Sequence, residues 1–313
     1  MVYQGMGSLY ETIWGFNVVL PTFSGIAYGA GRWVAVESGG SVFISQDGLQ
    51  WILAASEQDL ARSFGPSVWG ESTPFGLSDV AYGRGRWIAV GSRYNPLVPY
   101  RELQSLIFTS LNSLRWDFEA LESEVLLSGV AYGAERWVTV GTRGTIFTAS
   151  SGTYLLWERA NSGTATELKG VAYGNGRWVV VGDEGTILTS RDGLRWQRVE
   201  SGTRKRLFKV AYGGGRWLAT GLDGTLLTST DGLRWQPIRL EKGVSPVSAT
   251  YANGRWLAVG DEGTLITSPD GIRWQTISSG GGPRLELVAY GGGRFVVMGT
   301  LEALTGSIIL TFP

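Results

Sequence analysis

The sequence contains no cysteine and no histidine among its 313 residues. Without cysteine there is no disulfide, no thiolate nucleophile and no cysteine-ligated zinc or iron. Without histidine there is no imidazole-based catalytic triad, and the usual general base and most transition-metal sites are missing. We therefore expect no cofactor and no metal site, and any catalysis would have to use carboxylates.

The chain also has no net charge and no long apolar segment. Lysine and arginine together number 27, as do aspartate and glutamate. Affinity for nucleic acids and membrane surfaces comes mainly from positive charge, so we expect neither as a general partner. The longest apolar runs, such as Trp178 to Val181, are too short to insert into a membrane. No secretory signal opens the sequence, which favours the cytoplasm or a larger assembly as its location.

Lysine is scarce, since only four of the basic residues are lysines and 23 are arginines. Arginine stays charged and binds carboxylates and carbonyls through a planar fork, which suits repeated fixed contacts. A GC-rich genome would produce the same bias, so the sequence leaves both explanations open.

Glycine and tryptophan are abundant, with 47 and 14 residues, and they follow a repeat. One arginine followed by an aromatic residue opens the second strand of each repeat, which gives seven such pairs at spacings of 54, 50, 41, 39, 39 and 39 residues. The seven pairs are Arg32-Trp33, Arg86-Trp87, Arg136-Trp137, Arg177-Trp178, Arg216-Trp217, Arg255-Trp256 and Arg294-Phe295.

Each repeat is predicted to form four strands. In the fourth copy these are Val171–Tyr173, Arg177–Val181, Thr186–Ser190 and Leu194–Gln197, separated by glycine turns. A four-stranded meander of about 40 residues cannot bury both of its faces alone, and radial packing solves this problem. The sequence therefore predicts an all-β fold, a seven-bladed β-propeller of four-stranded antiparallel blades, forming one domain over residues 1–313.

The seventh copy ends after its third strand, Ser307–Thr311. Trp14 lies 12 residues before Ile26, much as the fourth-strand Trp196 lies 14 residues before Val210. We therefore predict that residues 10–17 supply the fourth strand of the last blade and close the ring.

A second motif, S-x-D-G-x-x-W, marks the turn between the third and fourth strands. It comprises Ser45, Asp47, Trp51, Ser190, Asp192, Trp196, Ser229, Asp231, Trp235, Ser268, Asp270 and Trp274. The motif resembles a shortened Asp-box, or bacterial neuraminidase repeat. With the glycine hairpins, it makes the chain similar to Asp-box propellers that include the photosystem II stability and assembly factors. That resemblance implies the fold, but little about function, because sialidases, other hydrolases, lectins and assembly factors share the repeat.

Two related families fit less well. WD40 repeats normally carry a Gly-His signature, and this chain has no histidine. Sialidases of this repeat type carry a Phe/Tyr-Arg-Ile-Pro motif that is missing here, so their activity is not carried over.

We interpret the Asp-box residues as structural, with Ser and Asp bonding the turn backbone and Trp packing against the next blade. A metal or acid–base role is the alternative. Blade 2 has Asn112 in place of the acid but keeps Trp116, which favours the structural interpretation. The seven arginines of the Arg-aromatic pairs have the same two interpretations: bonds to neighbouring turns, or a ring of anion contacts.

Function is expected where the repeats differ, and three insertions stand out. They lie between Trp51 and Val80, from Gly91 to about Ser105, and from Gly299 to Gly306. Because strands alternate in direction, blade-to-blade connections and second-to-third-strand loops emerge on one face. The insertions are therefore predicted to cluster on that face over blades 7, 1 and 2.

Arginines and aromatic residues are enriched at protein interfaces, and the insertions contain both. The alternative is that these loops cover apolar surface of the ring itself. The candidate partner-binding residues are Arg62, Phe64, Trp69, Arg93, Tyr94, Tyr100 and Arg101.

Charged residues on this face have simpler alternatives. The turn acids of blades 4 to 6 could bind a hard cation or could be solvated. They are Asp183, Glu184, Asp223, Asp261 and Glu262. The basic segment Arg204-Lys205-Arg206 could dock an acidic peptide or keep its connection soluble.

The sequence favours a non-catalytic scaffold that binds a protein, such as an assembly factor or a component of a larger particle. A carbohydrate-binding propeller is the alternative, and it predicts aromatic residues repeated between blades for sugar stacking. A glycoside hydrolase acting through carboxylates is the third possibility and would need two converging acids with perturbed pKa values.

Overall fold

The computed structural model describes residues 22–62, 75–94, 103–121, 123–301 and 306–313. These residues form seven antiparallel sheets, six with four strands and one with three. The sequence-based prediction of a seven-bladed β-propeller is therefore confirmed. No helix in the part of the chain that the structure describes has the length and apolar character needed to span a bilayer.

The strands follow the chain order within every blade. Blade 1 contains β1 (Phe23–Gly29), β2 (Arg32–Glu37), β3 (Val42–Ser45) and β4 (Ile52–Ala55), and helix α1 (Glu57–Ala61) follows it. Blade 2 contains β5 (Phe75–Gly83), β6 (Arg86–Tyr94), β7 (Leu103–Ser110) and β8 (Asp117–Leu121). Blade 3 contains β9 (Leu127–Gly133), β10 (Arg136–Gly141), β11 (Ile146–Ser150) and β12 (Glu158–Ala160).

The remaining blades repeat this order. Blade 4 contains β13 (Leu168–Gly174), β14 (Arg177–Gly182), β15 (Ile187–Ser190) and β16 (Gln197–Val199). Blade 5 contains β17 (Leu207–Gly213), β18 (Arg216–Gly221), β19 (Thr225–Ser229) and β20 (Gln236–Pro237). Blade 6 contains β21 (Pro246–Ala252), β22 (Arg255–Gly260), β23 (Leu265–Ser268) and β24 (Gln275–Ser278). Blade 7 contains β25 (Arg284–Gly291), β26 (Arg294–Leu301) and β27 (Gly306–Phe312).

The core lies between neighbouring blades, because each sheet buries its apolar side chains against the next sheet. Val179 and Val181 of blade 4, for example, pack in one cluster with Trp217, Leu227 and Trp235 of blade 5. The aromatic residue of every Arg-aromatic pair is fully buried, from Trp33 in blade 1 to Phe295 in blade 7. The period of the repeat therefore reflects one large aromatic side chain per blade boundary.

The ring closes through the innermost strands. The first strand of each blade contacts the first strands of both neighbours, and β25 of blade 7 contacts β1 of blade 1. In six of the seven blades the first strand ends in a glycine, which makes room for a tyrosine of the next blade; blade 6 has Ala252 at this position. A Cβ atom on Gly174 would lie 2.3 Å from the ring of Tyr212, and one on Gly291 would lie 2.0 Å from Tyr28. The last contact joins blade 7 to blade 1.

The outer edge of blade 7 is less completely described. Its third strand, β27, pairs with β26, and within the described residues the sheet has three strands. Trp14 and the proposed closing segment, residues 10–17, lie outside the described residues. Closure of the ring by an N-terminal strand therefore remains a prediction.

Two of the predicted loops are partly strand. In blade 2, β6 and β7 continue to the pair Tyr94–Leu103, so both ends of the predicted loop from Gly91 to Ser105 are strand, and residues 95–102 lie outside the described residues. In blade 7, β26 and β27 continue to the pair Leu301–Gly306. The extensions form because every added residue gains ladder hydrogen bonds with the facing strand.

Hydrogen bonds to residues at the start of blade 3 also hold the extended hairpin of blade 2 in place. The hydroxyl of Ser105 donates to the carbonyl of Val125 at 2.8 Å, and the N–H of Leu127 donates to the Ser92 hydroxyl at 3.0 Å. The connection between blades 1 and 2 begins with α1, whose N-terminus is capped reciprocally by Ser56 and Asp59.

Candidate functional site

The two faces of the ring carry different sets of turns. Antiparallel strands place the first hairpin and the third-to-fourth-strand loop of a blade at one end, and the remaining connections at the other. The contacts between glycines and tyrosines align this end in all blades. We call the end with the first hairpins the arginine face. It comprises each first hairpin, up to and including the arginine of the Arg-aromatic pair, and each third-to-fourth-strand loop, up to and including its tryptophan. The other end is the opposite face.

The Asp-box turns of the arginine face are held by their own side chains. In blade 4, the N–H groups of Leu194 and Arg195 both donate to Asp192 Oδ1 at 2.9 Å. The N–H of Gly193 donates to the Ser190 hydroxyl at 2.9 Å, and that hydroxyl lies 3.0 Å from Asp192 Oδ1. The turns of blades 1, 5 and 6 have the same bonds, centred on Asp47, Asp231 and Asp270.

These hydrogen bonds stabilise the charged form of the carboxylates. The backbone N–H of Arg195, with that of Leu194, holds the pKa of Asp192 well below its usual range. Backbone donors lower the pKa values of Asp231 and Asp270 in the same way. An acid with so low a pKa is a poor proton donor near neutral pH, which argues against an acid–base role.

Blade 2 shows that an amide can replace the acid. The Oδ1 atom of Asn112 accepts from the N–H groups of Leu114 and Arg115 at 3.0 and 2.9 Å. Trp116 is buried, and its indole N–H donates to the carbonyl of Ser113 at 3.2 Å. Trp51 and Trp196 donate to the equivalent glycine carbonyls of their turns.

Three of these turns project an arginine away from the ring. The Nε atom of Arg195 donates to Asp192 Oδ2 at 2.9 Å, and Arg234 and Arg273 contact Asp231 and Asp270 in the same way. The side chains of the three arginines are nevertheless 85–92% exposed. Each guanidinium is oriented by its aspartate and keeps donors directed to solvent.

The arginines of the Arg-aromatic pairs lie nearer the channel and use only some of their donors. Arg136, Arg177 and Arg216 each donate to a threonine hydroxyl on the adjacent third strand at 3.0–3.2 Å. Arg32 and Arg86 instead donate to carbonyls in the third-to-fourth-strand loop of the next blade. Arg32 and Arg86 therefore connect turns of neighbouring blades, whereas Arg136, Arg177 and Arg216 bond within their own blade.

The arginine face carries a large excess of positive charge. Among the described residues it contains thirteen arginines, no lysine and five side-chain carboxylates, although the whole chain is neutral. The arginines are Arg32, Arg84, Arg86, Arg115, Arg136, Arg177, Arg191, Arg195, Arg216, Arg234, Arg255, Arg273 and Arg294. The carboxylates are Asp47, Glu135, Asp192, Asp231 and Asp270; Asp117 and Glu158 begin the outer strands just beyond the loops.

Most of those arginines have no acidic partner. Four of the five carboxylates each pair with one arginine, in the pairs Arg84–Glu135, Arg195–Asp192, Arg234–Asp231 and Arg273–Asp270. Among the residues that the structure describes, the other nine arginines have no side-chain carboxylate partner, and one of them, Arg255, donates to the main-chain oxygen of Pro313 at 2.6 Å.

On the opposite face, three ion pairs join turn acids to basic residues. Arg206 contacts Asp183 at 2.8 Å, Lys205 lies 3.5 Å from Asp223, and Arg284 lies 3.0 Å from Asp261. Within the described ranges, no three acidic side chains are grouped as a metal site would require. Two residues of the basic segment 204–206 are thus paired with turn acids. Glu184 and Glu262 remain exposed beside these pairs.

The predicted partner-binding residues are only partly described. Arg62 is exposed after α1, and its Nη1 atom lies 3.1 Å from Asp59. Arg93 is 7% exposed within β6, and burial lowers the pKa of its guanidinium. Tyr94 ends the same strand. Phe64, Trp69, Tyr100 and Arg101 lie outside the described residues. The structure thus places Arg93 in a buried strand position rather than in a surface loop.

An ion pair crosses the central channel. Asp79 on β5 and Lys209 on β17 belong to the innermost strands of blades 2 and 5, which are not neighbours in the ring, and their charged groups lie 3.8 Å apart. Asp79 also accepts from the N–H of Val130 at 3.2 Å. Burial raises the pKa of the Asp79 carboxyl, and Lys209 partly offsets this effect.

The sequence analysis did not predict this ion pair, although two blades carry a charged residue at a repeat position where other blades have glycine. Asp79 and Lys209 both precede the Val-Ala-Tyr segment of their blades, where blades 3 and 4 have Gly129 and Gly170. Opposite charges replace glycine at one repeat position in two distant blades. Only the ring geometry brings them together.

Comparison with known proteins identifies similar folds. No family model and no curated protein matches the sequence. Among solved structures, YCF48 from Cyanidioschyzon merolae superposes with a TM-score of 0.64 at 17% identity, covering 89% of this chain and 93% of its own. A structure of YCF48 bound to D1 peptide gives 0.64 at 15% identity, covering 94% of this chain and 93% of its own. The WD40 propeller domain of Doa1 gives 0.65 at 10% identity, covering 93% of each chain.

At these identities the comparisons establish the fold alone. The predicted similarity to the propellers of photosystem II assembly factors is confirmed at that level.

Proposed function

We propose that this propeller is a non-catalytic scaffold that binds an acidic segment of a partner protein on its arginine face. The observation that carries the proposal is the charge of that face: in its described part, thirteen arginines stand against five side-chain carboxylates, in a chain of zero net charge. Arginine binds carboxylates through two parallel N–H donors, so an acidic polypeptide is the complementary partner.

The geometry supports recognition without rearrangement. Arg195, Arg234 and Arg273 are oriented by the aspartates of their own turns, so binding would cost little side-chain entropy. The turns are in turn fixed by backbone hydrogen bonds to the same carboxylates. A preorganised array of charges on a rigid ring favours specificity and fast association. The structure of YCF48 bound to D1 peptide provides an example of this fold holding a peptide.

The face predicted from the insertions is a second candidate surface for the same function. Its support is the exposed Arg62 and the extension of the β6–β7 and β26–β27 hairpins beyond the repeat. The proposed contacts at Arg62, Phe64, Trp69, Arg93, Tyr94, Tyr100 and Arg101 remain predictions. Carbohydrate binding receives less support, because the aromatic residues of the Arg-aromatic pairs, from Trp33 to Phe295, are buried between blades.

A charge-matched pair of variants tests the proposal. The probe is a fluorescent twelve-residue peptide of Asp, Glu and Gly, compared with its Asn/Gln counterpart by anisotropy at low salt. The arginine-face variant is R195S/R234S/R273S. The control is R143S/R198S/R204S, which removes three exposed arginines from the opposite face and from blade 4.

We expect the acidic peptide to bind the wild type and the amide peptide to bind far more weakly. Loss of three exposed ion pairs at up to about 1 kcal/mol each should weaken binding by roughly tenfold or more. The control variant should stay within about twofold of the wild type. Loss in the control alone would assign binding to the opposite face, and no preference for the acidic peptide would refute the proposal.

A further inference from the structure

Every described third-to-fourth-strand loop of the Asp-box type exposes one aliphatic side chain. It follows the central turn residue and is partly exposed, by 38–53%, in blades 1, 2, 4, 5 and 6. These side chains are Leu49, Leu114, Leu194, Leu233 and Ile272. One such residue per blade, dispersed around the rim, is ordinary for a protein surface.

Blades 2 and 3 depart from this pattern. Leu111, Tyr154 and Leu156 are 73%, 85% and 78% exposed, and they are the three most exposed large apolar side chains in the described part of the chain. All three lie in the loops of two neighbouring blades. We call Leu111, Leu114, Tyr154 and Leu156 the rim patch.

A short series of contacts joins the two halves of the rim patch. Leu111 follows Ser110, which pairs with Trp87 in the sheet of blade 2. The adjacent Arg86 donates to the carbonyl of Thr153 at 3.0 Å, directly before Tyr154. Strands lie about 5 Å apart, so these contacts place the two loops within about 10–15 Å of each other. A single bound segment of a few residues can reach both.

Folding does not account for the exposed side chains. In blade 3, Leu155 is buried and supplies the packing of the loop, while its neighbours Tyr154 and Leu156 point outward. Blade 3 also lacks the serine–aspartate turn bonds, and its loop is held from blade 2 by Arg86 and by Arg84, which donates to the Ser151 hydroxyl at 3.1 Å. Hydrogen bonds from two arginines of blade 2 therefore hold the loop in place while its apolar side chains stay exposed.

The rim patch lies where the arginine face has lost its Asp-box acids. Asn112 replaces the aspartate in blade 2, and residues 150–157 of blade 3 contain no acid. Arg115 is exposed beside Leu114, and Glu135 is already paired with Arg84. Asp117 and Glu158 lie beyond the tryptophans at the start of the outer strands. On the side that faces the centre of the ring, the neighbours of the rim patch are therefore arginines, and Asp117 and Glu158 lie on its outer side.

We infer that the partner segment carries aliphatic or aromatic side chains beside its acidic residues, and that the rim patch receives those apolar side chains. This inference rests on the proposed function. The occupant is a partner protein rather than a second copy of this chain, since two copies meeting at this face would bring like-charged arginine surfaces together. Exposed apolar residues next to a complementary charged surface are typical of interface cores.

Selection from a displayed library of random twelve-residue peptides tests this inference. Peptides that bind the wild type should be enriched in Leu, Ile, Phe, Tyr or Trp within about four residues of Asp or Glu. The peptide most enriched is then synthesised and measured against L111S/Y154S/L156S. The control variant is L194S/L233S/I272S, which makes the same change at three aliphatic residues of blades 4 to 6 on the same face.

We expect the rim variant to bind the selected peptide at least tenfold more weakly and the control to stay within about threefold of the wild type. Thermal unfolding of both variants should match the wild type, because the replaced side chains are exposed. Equal losses in the two variants would overturn the inference.

The two proposals fail in different ways. If R195S/R234S/R273S loses the peptide and the rim variant does not, acidic recognition stands and the rim patch is wrong. If the selected peptides lack acids, the proposed function is wrong. If the wild type dimerises in sedimentation and the rim variant does not, the patch contacts a second copy and the inference is overturned.

Discussion

The Arg-aromatic pair divides between two tasks at adjacent positions. Because successive side chains of a strand point to opposite sides, Trp178 enters the core while Arg177 stays at the turn. Each pair therefore adds one buried aromatic ring to a blade boundary and one guanidinium to the arginine face. The same dipeptide builds the ring and charges its surface.

Within the Asp-box motif, the tryptophan should contribute more to the free energy of unfolding than the aspartate. In blade 5, W235A should destabilise the protein by about 3–5 kcal/mol, because the buried indole packs in the core between blades 4 and 5. D231A should cost only about 1 kcal/mol, since it removes hydrogen bonds at a partly exposed turn. Denaturant unfolding at neutral pH measures both changes.

The smaller effect should depend on pH. The backbone N–H of Arg234 lowers the pKa of Asp231 in the folded protein, so its stabilisation is present above the ordinary value near 3.8 and is lost as pH falls below it. The difference between wild type and D231A should therefore shrink in acid. A larger loss for D231A than for W235A at neutral pH would reverse our ranking.

At the scale of strands and hairpins, repetition made the fold predictable. The number of blades could be counted from three repeating features: glycine turns, buried aromatic residues and a regular spacing. Local sterics require the glycines, and packing between sheets requires the aromatic residues, so both recur in every blade. The extensions of β6 and β26 were not foreseen. A hairpin lengthens when facing residues can pair, and that depends on neighbours such as Val125 that lie far along the chain.

The fourth strand of blade 7 is the structural prediction still to be tested. The chain has no cysteine, so introduced pairs report on proximity without background. T311C on β27 should form a disulfide with one or two cysteines placed singly at positions 10–17, because facing strand residues lie within disulfide range. Mass spectrometry after mild oxidation detects the product. Failure at all eight positions, with T311C alone folding normally, would contradict closure by this segment.

At the scale of the whole molecule, two features emerge only from the ring. Arginines that are dispersed along the sequence gather on one face, and Asp79 meets Lys209 across the channel. Neither is visible from composition, since the net charge is zero and the two channel residues are 130 positions apart. Topology is what converts a neutral sequence into a polarised molecule.

The cross-channel pair should affect stability asymmetrically. K209M leaves the half-buried Asp79 carboxylate without its cation and should cost about 1–3 kcal/mol at pH 7, less than the loss from a fully buried pair. The double variant D79N/K209M should lie within about 1 kcal/mol of the wild type, because neither charge of the half-buried pair remains. Chemical denaturation of the three proteins gives the comparison.

The sign of the pH effect follows from the raised pKa of Asp79. The neutral carboxyl is favoured in the folded protein, so the stability of K209M should be lost as pH rises through the folded pKa and recovered below the ordinary value of 3.8. A penalty for K209M that persists unchanged at low pH would show that lost packing, rather than the uncompensated charge, causes it.

Arginine-selective labelling measures whether the arginine face is the docking surface. Phenylglyoxal modification, followed by mass spectrometry, reports each exposed arginine with and without the peptide selected from the library. We expect the peptide to protect Arg115, Arg195 and Arg234 on the arginine face and to leave the reactivity of Arg143 and Arg204 on the opposite face unchanged. Protection confined to Arg143, Arg204 or Arg62, with the arginine face fully reactive, would contradict this expectation.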